Sequence, residues 1–376
     1  MLKKTKNVNL ILMLFVITLF QLTCLFTLIG KASNEHKTGI ILTFGIYILV
    51  EYIYFIGARL LLKRKGFEVE LIAFLLTSIG LSITTSVYPD KALKQLVAVL
   101  IGIFGFVFLQ WLLRDLKRVS FLRIPAAIGA VGLLAFTLVF ASFTNGAKNW
   151  LYIGGISIQP SELVKVVFIF VGAATLEKLQ SNKSLTKFII FAFACVGALF
   201  LMYDFGTALI FFFTFIVISF MRSGDIRTIL FLCVAAVIGA MLIIYFKPHV
   251  TARFEAYRHI WEDVYGRGYQ QTRVLIYAVS GGLFGLGVGN GALRNIYAST
   301  TDLVFGLICE EFGIFTAIVI VTAFAAIAIY ALLSSRSAPS SFYSIAACSA
   351  SAMLLFQICL NIFGITDILP LTGVTL

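Results

Sequence analysis

Charged side chains are scarce in this chain of 376 residues: Asp, Glu, Lys and Arg make up only 12% of it, whereas 60% is hydrophobic. A soluble domain is about 25% charged and about 45–50% apolar. So little polar surface cannot cover a water-facing globule of this length, which excludes a soluble enzyme, a disordered chain and a nucleic-acid-binding module. The mean hydropathy of +1.02 instead indicates a helical protein that crosses a membrane several times.

Cysteine and histidine are also few, with six and three copies. All six cysteines fall in apolar stretches without a C-x-x-C pair, so we interpret them as small packing residues. The histidines His36, His249 and His259 lack the spacing of metal ligands. Acidic residues are outnumbered 17 to 29 by Lys and Arg. Basic cytoplasmic loops explain this excess, and no nucleic-acid partner is expected.

Apolar runs of about 20 residues, the length that spans a bilayer, recur along the whole chain. The first run lacks a cleavage site and is interpreted as a retained span rather than a signal peptide. The predicted fold class is therefore all-α: a polytopic transmembrane bundle of about eleven spans with one large extracellular loop at 247–302. The predicted spans are 8–29, 39–62, 68–86, 94–113, 124–143, 160–177, 188–203, 204–221, 228–246, 303–332 and 343–363.

The distribution of Lys and Arg predicts the orientation, because cytoplasmic loops collect these residues. With the amino terminus inside, 17 of the 29 basic residues fall on the cytoplasmic side. Six of the others lie in the 247–302 loop, and long loops cross membranes largely regardless of charge. We therefore expect a cytoplasmic amino terminus and an external long loop. Since the number of spans is odd, the carboxyl terminus is expected outside as well.

Polar residues gather at the predicted outer face. In Gln159-Pro160-Ser161-Glu162 the last three residues suit the first turn of a helix, and Lys165 follows on the face of Glu162. A capped helix with a satisfied ion pair would explain this pattern. However, an intramembrane Glu or Lys costs about 2.5–3.5 kcal/mol at mid-bilayer, and such residues usually face a water-filled cavity. Both interpretations stay open at this point.

Four further acids raise the same question. Asp204, and Asp302 where the long loop re-enters the membrane, each suit the N-cap of the following helix. Glu310 and Glu311 lie about two to three turns beyond Asp302, inside a predicted span. At least one of these two needs a partner or a water-filled cavity.

The long loop combines arginines with glycines. Residues 253–263 are predicted to form an amphipathic surface helix, and six glycines lie within 281–291. Glycine lets backbone N–H groups approach an anion, and arginine binds phosphate in a bidentate manner, so a phosphate-binding loop is one interpretation. A solvated or lipid-facing basic loop is the other.

Together and in this order, the motifs resemble the SEDS family (shape, elongation, division and sporulation), the FtsW/RodA/SpoVE group. The resemblance runs from about residue 70 to the end. It rests on Gly146-Ala147-Lys148-Asn149-Trp150, on 159–165, on Asp204-Phe205-Gly206-Thr207, on 266–270, on 281–287, on Thr301-Asp302, on 310–313 and on 369–374.

The resemblance implies a peptidoglycan glycosyltransferase that polymerises lipid II, the undecaprenyl-pyrophosphate-linked disaccharide, into glycan strands for division, elongation or sporulation. It implies a bacterial plasma membrane location and an active site on the outer face. The implied partners are lipid II, membrane lipids, a class B penicillin-binding protein acting as transpeptidase, and other division or elongation proteins. Two alternatives stay open: a lipid II flippase or transporter, and an inactive scaffold of the cell-wall machinery.

The resemblance also assigns roles to residues. Asp302 is the predicted catalytic base. A divalent metal, Mg²⁺ or Mn²⁺, held by Asp302 and Glu162 would suit a pyrophosphate substrate, and no organic cofactor is implied. The predicted substrate-binding or cavity residues are Lys148, Glu162, Lys165, Asp204, Arg253, Asp263, Tyr269 and Gln270.

Several positions depart from the usual family pattern, which predicts a divergent member. Asn149 stands where the family usually has Arg, Arg273-Val274 replaces a Gln-Ser pair, and Leu303 replaces Phe. The loop before Asp302 also lacks the usual Leu-Pro-Glu. Residues 1–66 are predicted to be an additional two-span segment before the family domain at 67–376, whose usual last span is expected to be missing.

Overall fold

The structure, a computed structural model, is dominated by helices. It describes residues 9–61, 63, 66–144, 146–153, 156–177, 182–224, 226–227, 230, 234 and 257–375. Within these residues the helices are α1 (Leu10–Lys31), α2 (Asn34–Leu61), α3 (Glu68–Val87), α4 (Ala92–Leu113), α5 (Leu116–Phe140), α6 (Pro160–Glu177), α7 (Asn182–Leu201), α8 (Phe205–Ser223), α9 (Tyr269–Ser280), α10 (Val304–Ser335) and α11 (Ser341–Ile365).

Each predicted span that the structure describes corresponds to a helix, with ends that differ by a few residues: the span predicted over 124–143 ends as a helix at Phe140 and continues into a strand. Eight of the described helices, α1 to α5, α8, α10 and α11, are long and apolar enough to cross a membrane. The shorter apolar stretch Leu185–Leu201 of α7, and α6, correspond to two further predicted spans. The predicted span at 228–246 lies almost entirely outside the described residues. The all-α, polytopic fold class is thereby confirmed.

Side-chain caps explain several helix ends. The Asn9 side chain accepts hydrogen bonds from the first backbone N–H groups of α1, and the Asp115 side chain accepts one from Lys117 at the start of α5. Helix α8 ends at Ser223, and the Gly224 that caps it has a φ of 63°, the left-handed conformation that glycine adopts most readily. These caps set where the helices begin and end, close to the borders of the apolar runs.

The described chain forms two compact units. The first comprises Met1–Leu109 and Arg273–Ala323, and the second comprises Gln110–Thr272 and Phe324–Leu376. In the first unit, α1 to α3 pack through an aromatic-rich core that includes Phe44, Tyr47, Phe55 and Phe74. In the second unit, α5 to α8 and α11 share a core built around Phe168, Phe188, Phe211 and Phe215. The domain boundary predicted at residues 66 and 67 stays a prediction.

Three short antiparallel strands precede α6, and the sequence analysis did not predict them. They are β1 (Ser142–Thr144), β2 (Ala147–Ile153) and β3 (Ile156–Ile158). Gly146, with a φ of 86°, lies in the turn between β1 and β2. The Lys148 backbone N–H donates to the Met202 carbonyl over 2.8 Å, which holds β2 against the end of α7.

The long loop differs from its prediction. Residues 257–268 form successive turns rather than the amphipathic helix expected over 253–263, and the helical part, α9, begins only at Tyr269. The glycine before it explains this conformation, because a Cβ at Gly268 would lie 2.1 Å from the Ile260 carbonyl oxygen. The turns bring Gly268 back against the Ile260 backbone. A continuous helix would keep two residues eight positions apart more than two turns from each other.

Candidate active site

Asp204 is the polar centre of the turn between α7 and α8. The residue is 9% exposed, and its Oδ1 accepts a hydrogen bond from the Thr207 backbone N–H over 3.2 Å, so Asp204 is the N-cap of α8. Its Oδ2 accepts from the side-chain amides of Asn149, at 2.8 Å, and Gln159, at 3.2 Å. One carboxylate therefore joins strand β2, the residue before α6 and the first turn of α8.

Lys165 is a buried cation on the second turn of α6. Only 6% of the residue is exposed, and its Nζ lies 2.6 Å from Glu162 Oε2. The same ammonium donates to the Gln357 side-chain oxygen of α11 over 2.9 Å. The ion pair between Glu162 and Lys165, one of the two interpretations that the sequence left open, is present. Since a buried charge is stable only when it is paired and hydrogen-bonded, both contacts hold the ammonium in place.

Amide side chains of α11 continue from Lys165 to the carboxyl-terminal segment. The Gln357 amide donates to the Thr375 carbonyl over 2.9 Å, and the Asn361 amide donates to the Val374 carbonyl over 2.7 Å. A Cβ at Gly206 would lie 2.7 Å from Val374 Cγ2, so the glycine after Asp204 allows this segment to pack closely on α8. Polar amides inside an apolar span were the signal for Gln357 and Asn361, which the sequence analysis missed.

The loop before α9 contributes less than the sequence predicted. Asp263 is exposed and accepts a hydrogen bond from the Arg267 backbone N–H over 3.0 Å, whereas Tyr269 is the first residue of α9 and is 38% exposed. Gln270 is half-buried. Its neighbour Gln271 is buried and donates to the Gly364 carbonyl over 3.0 Å, so this unpredicted residue anchors the start of α9. The predicted site residue Arg253 lies outside the described residues.

Asp302 lies in the first unit, two residues before α10, and is half-buried. The turn that carries it closes with a hydrogen bond from the Leu303 backbone N–H to the Ala298 carbonyl over 3.1 Å. Two positions that depart from the family pattern are core residues of the same unit. Leu303 and Val274 are both fully buried, and a Cβ at Gly306 would lie 2.0 Å from the Val274 side chain. The catalytic role of Asp302 stays a prediction.

Glu310 and Glu311 organise the glycine-rich loop, which we define as residues 281–291. The Glu310 carboxylate accepts hydrogen bonds from the backbone N–H groups of Ala292, at 2.7 Å, and Leu293, at 2.9 Å. The carbonyls of Glu310 and Glu311 accept from Leu286, at 2.9 Å, and Gly287, at 3.0 Å. The phosphate-cradle interpretation is wrong for the Leu286 and Gly287 amides of the loop, because the protein itself satisfies them.

A divalent metal at Asp302 and Glu162 stays a prediction. Within the part of the chain that the structure describes, no three His, Cys, Asp or Glu side chains come together in a way that could hold a metal ion. Glu162 is already paired with Lys165. The described side chains fit a resident metal poorly.

A family model described as cell cycle protein, for FtsW, RodA and SpoVE, matches residues 61–376. Stage V sporulation protein E of Bacillus subtilis is 28% identical over 333 residues, covering 81% of this chain and 88% of that protein. The probable peptidoglycan glycosyltransferase FtsW of the same organism is 29% identical, covering 76% of this chain and 74% of its own length.

A further relative matches this chain over a smaller part of its own length. Two solved structures are less than 25% identical and show similarity of fold. The peptidoglycan glycosyltransferase RodA of Mycobacterium tuberculosis is 26% identical, and the match spans 65% of that protein and 76% of this chain. A chain of a peptidoglycan synthase complex, solved in a study of how polymerization and crosslinking are coordinated, has a TM-score of 0.68 at 22% identity, covering 82% of this chain and 89% of its own. The rod shape determining protein RodA of Thermus thermophilus has a TM-score of 0.60 at 23% identity, covering 82% and 88%.

Proposed function

Because this chain belongs to the FtsW/RodA/SpoVE family of cell cycle proteins, we propose that it polymerises lipid II into peptidoglycan glycan strands at the outer face of a bacterial plasma membrane. The chain is a multi-pass membrane protein and a peptidoglycan glycosyltransferase, in keeping with its relatives of that name. The observation that carries the proposal is the buried Lys165 ammonium, which is paired with Glu162 at the start of α6. Among the described residues, Glu162 and Gln357 use two of the three donor hydrogens of this ammonium, so one donor remains for an anionic substrate.

The proposed reaction joins two sugars. A hydroxyl of the acceptor saccharide attacks the anomeric carbon of the lipid-linked donor, and the bond to undecaprenyl pyrophosphate breaks with its electron pair leaving on the pyrophosphate. The hydroxyl proton must pass to a base, and we assign this role to the Asp302 carboxylate. Asp302 is half-buried and directly precedes the fully buried Leu303, which holds this end of the loop against the core.

The leaving pyrophosphate needs positive charge. An ammonium in low-dielectric surroundings attracts an anion more strongly than one in water, and we assign this role to Lys165. Glu162 and Gln357 hold the Lys165 Nζ at 2.6 Å and 2.9 Å, so the cation is oriented before any substrate arrives. Arg253 and Lys148 would add positive charge, and Asp204, Asp263, Tyr269 and Gln270 would line the substrate path.

The orientation and the partners belong to the same proposal. Lipid II carries its sugars on the outer leaflet when it is polymerised, so the active site would lie outside and the amino terminus in the cytoplasm. A class B penicillin-binding protein would crosslink the new strands. This partner is supported by the similarity to a chain from a complex that coordinates polymerization and crosslinking.

A polymerisation assay tests the proposal. The full chain is reconstituted in vesicles with lipid II, alone and with a candidate transpeptidase, and glycan strands are separated by length. We expect strands from the wild type and at least about a hundredfold loss with Asp302→Asn, which keeps the size but removes the base. Asp90→Asn, at an exposed aspartate of the same unit, is the matched control. Full activity of a well-folded Asp302→Asn protein would contradict the assignment of the base.

The two alternatives have distinct outcomes in the same vesicles. Movement of lipid II between leaflets without a polymer product would support a flippase. Absence of both polymer and lipid movement, with retained binding to the transpeptidase, would support a scaffold.

A further inference from the structure

Helices α1 and α2 form a hairpin that precedes the region matched by the family model, which begins at residue 61. In the first unit this hairpin contacts the glycine-rich loop of residues 281–291. Since Asp302 follows that loop by about ten residues, the hairpin's contacts bear on the segment that carries the proposed base.

The first contact is polar and lies at the end of α1. The Lys31 ammonium donates a hydrogen bond to the Val288 carbonyl oxygen. The Lys31 stem lies alongside the next residue, because a Cβ at Gly289 would be 3.3 Å from Lys31 Cδ. Val288 itself is 7% exposed and belongs to the apolar core that also contains Leu28 of α1. The end of α1 therefore holds both the backbone and a side chain of the loop.

The second contact lies about three turns earlier on α1, on the same side of the helix. The ring of Phe20 on α1 is 5.9 Å from the ring of Phe312, centroid to centroid. Phe312 directly follows Glu310 and Glu311, the two acids whose carbonyls accept the amides of Leu286 and Gly287. The hairpin thus touches the loop and also the turn of α10 that binds the loop.

Buried hydrogen bonds fix the hairpin on α3. The Gln21 amide donates to Glu51 Oε2 over 2.6 Å and to Ser78 Oγ over 2.9 Å, and all three residues are fully buried. The Tyr47 hydroxyl adds a bond to the Phe74 carbonyl over 3.0 Å. Misplacing the hairpin would leave these polar groups without partners in an apolar interior, which is costly. These hydrogen bonds therefore fix Lys31 and Phe20 of α1 relative to α3.

The glycine-rich loop connects the hairpin contacts to the segment that carries Asp302. The Glu310 carboxylate binds the N–H groups of Ala292 and Leu293, where the loop ends and a short 3₁₀ turn, Leu293–Asn295, begins. Leu293 is fully buried, so the turn is anchored at its first residue. The segment from this turn to Asp302 thus begins at a fixed point that depends on the loop.

We propose that the α1–α2 hairpin is a positioning element for the glycine-rich loop and, through it, for the segment that carries Asp302. Lys31 is its positioning residue. The reaction served is the one proposed above, so this inference rests on the proposed function in that respect. The other interpretation is that the hairpin only adds buried area and its contacts with the loop are incidental.

Three variants separate these interpretations. Lys31→Met removes the donor but keeps the apolar stem, and Lys31→Arg restores a donor. Lys94→Met makes the same chemical change at an exposed lysine of α4 in the same unit. Hydrogen–deuterium exchange of peptides covering 283–293 reports the loop, and kcat and KM for lipid II report the reaction.

We expect Lys31→Met to speed exchange in the loop and to lower kcat about tenfold with little change in KM, the scale of one charge-assisted hydrogen bond. Lys31→Arg should restore both readouts, and Lys94→Met should change neither. Unchanged exchange and unchanged kcat in Lys31→Met would overturn the inference, and so would equal effects of Lys94→Met.

The exchange measurement keeps the two proposals distinguishable. If the wild type makes no polymer, the proposed function fails, and the hairpin is judged on the loop alone. Faster loop exchange confined to Lys31→Met would then still support positioning of the loop, and identical exchange in all variants would refute it.

Discussion

The side-chain amide of Asn149 donates a hydrogen bond to Asp204 across 2.8 Å and ties strand β2 to the first turn of α8. Asn149 is the position where the family pattern usually has arginine, so a neutral donor here takes the place of a charged one. Asp204 keeps a second amide donor in Gln159 and the N–H of Thr207. Both oxygens of the Asp204 carboxylate therefore accept hydrogen bonds despite the change.

Removing that amide tests its contribution. Asn149→Ala leaves a buried carboxylate oxygen with one donor fewer, which we expect to cost about 1–3 kcal/mol of stability. Thermal unfolding in detergent should show a lower midpoint. Asn149→Arg should recover the lost stability by forming an ion pair with Asp204, and a midpoint below that of Asn149→Ala would show that the site does not accept the larger cation.

Lys165 is expected to affect catalysis more than folding. Lys165→Met keeps the length and the apolar stem but removes the buried charge that we assign to the pyrophosphate. We expect a loss of about a hundredfold in kcat/KM for lipid II, the scale of a removed electrostatic stabiliser. Lys187→Met, at an exposed lysine of α7, is the control. A Lys165→Met protein that unfolds at the wild-type midpoint and polymerises normally would contradict this role.

Gly206 is expected to tolerate no side chain. In Gly206→Ala the new Cβ would lie 2.7 Å from Val374 and 2.8 Å from the Thr372 carbonyl, and relieving that overlap should cost about 1–3 kcal/mol. Gly197→Ala on α7 meets no atom within 4 Å and should be neutral or slightly stabilising. The comparison of the two unfolding midpoints measures the packing of the carboxyl-terminal segment on α8.

The Glu310 carboxylate is expected to be structural. Glu310→Ala leaves the N–H groups of Ala292 and Leu293 without their acceptor, which should cost about 1–3 kcal/mol and speed hydrogen exchange in that turn. Glu35→Ala, at an exposed acid of the same unit, serves as reference. Slow exchange retained at residues 292–293 in Glu310→Ala would show that the carboxylate is dispensable.

Local patterns made much of the molecule predictable. The apolar runs predicted the described spans because a membrane helix carries its own backbone hydrogen bonds and is recognised by length and hydropathy alone. The pair of Glu162 and Lys165 was predictable because residues three apart share a helix face. The N-cap at Asp204 follows from the chemistry of a single side chain.

Long-range partners were not predictable in the same way. Lys165 and Gln357 are 192 residues apart, and neither residue carries a local sign of the other. The acceptors of the Leu286 and Gly287 amides in the glycine-rich loop are the backbone carbonyls of Glu310 and Glu311, which a glycine pattern alone cannot distinguish from an anion. The helix expected over 253–263 was wrong in its described part, because Gly268 allows a backbone contact that periodicity does not register.

Helix α10 is interrupted at Gly313, whose φ of 83° and ψ of 167° break the helical path. The amides just beyond it, of Ile314 and Phe315, find their acceptors in the carbonyls of Gly282 and Leu283 instead of in their own helix. Residues 282–283 thus pair one by one with residues 314–315, about thirty positions later in the chain. An insertion or deletion of a single residue inside either stretch would shift that match and leave these amides and carbonyls without their partners.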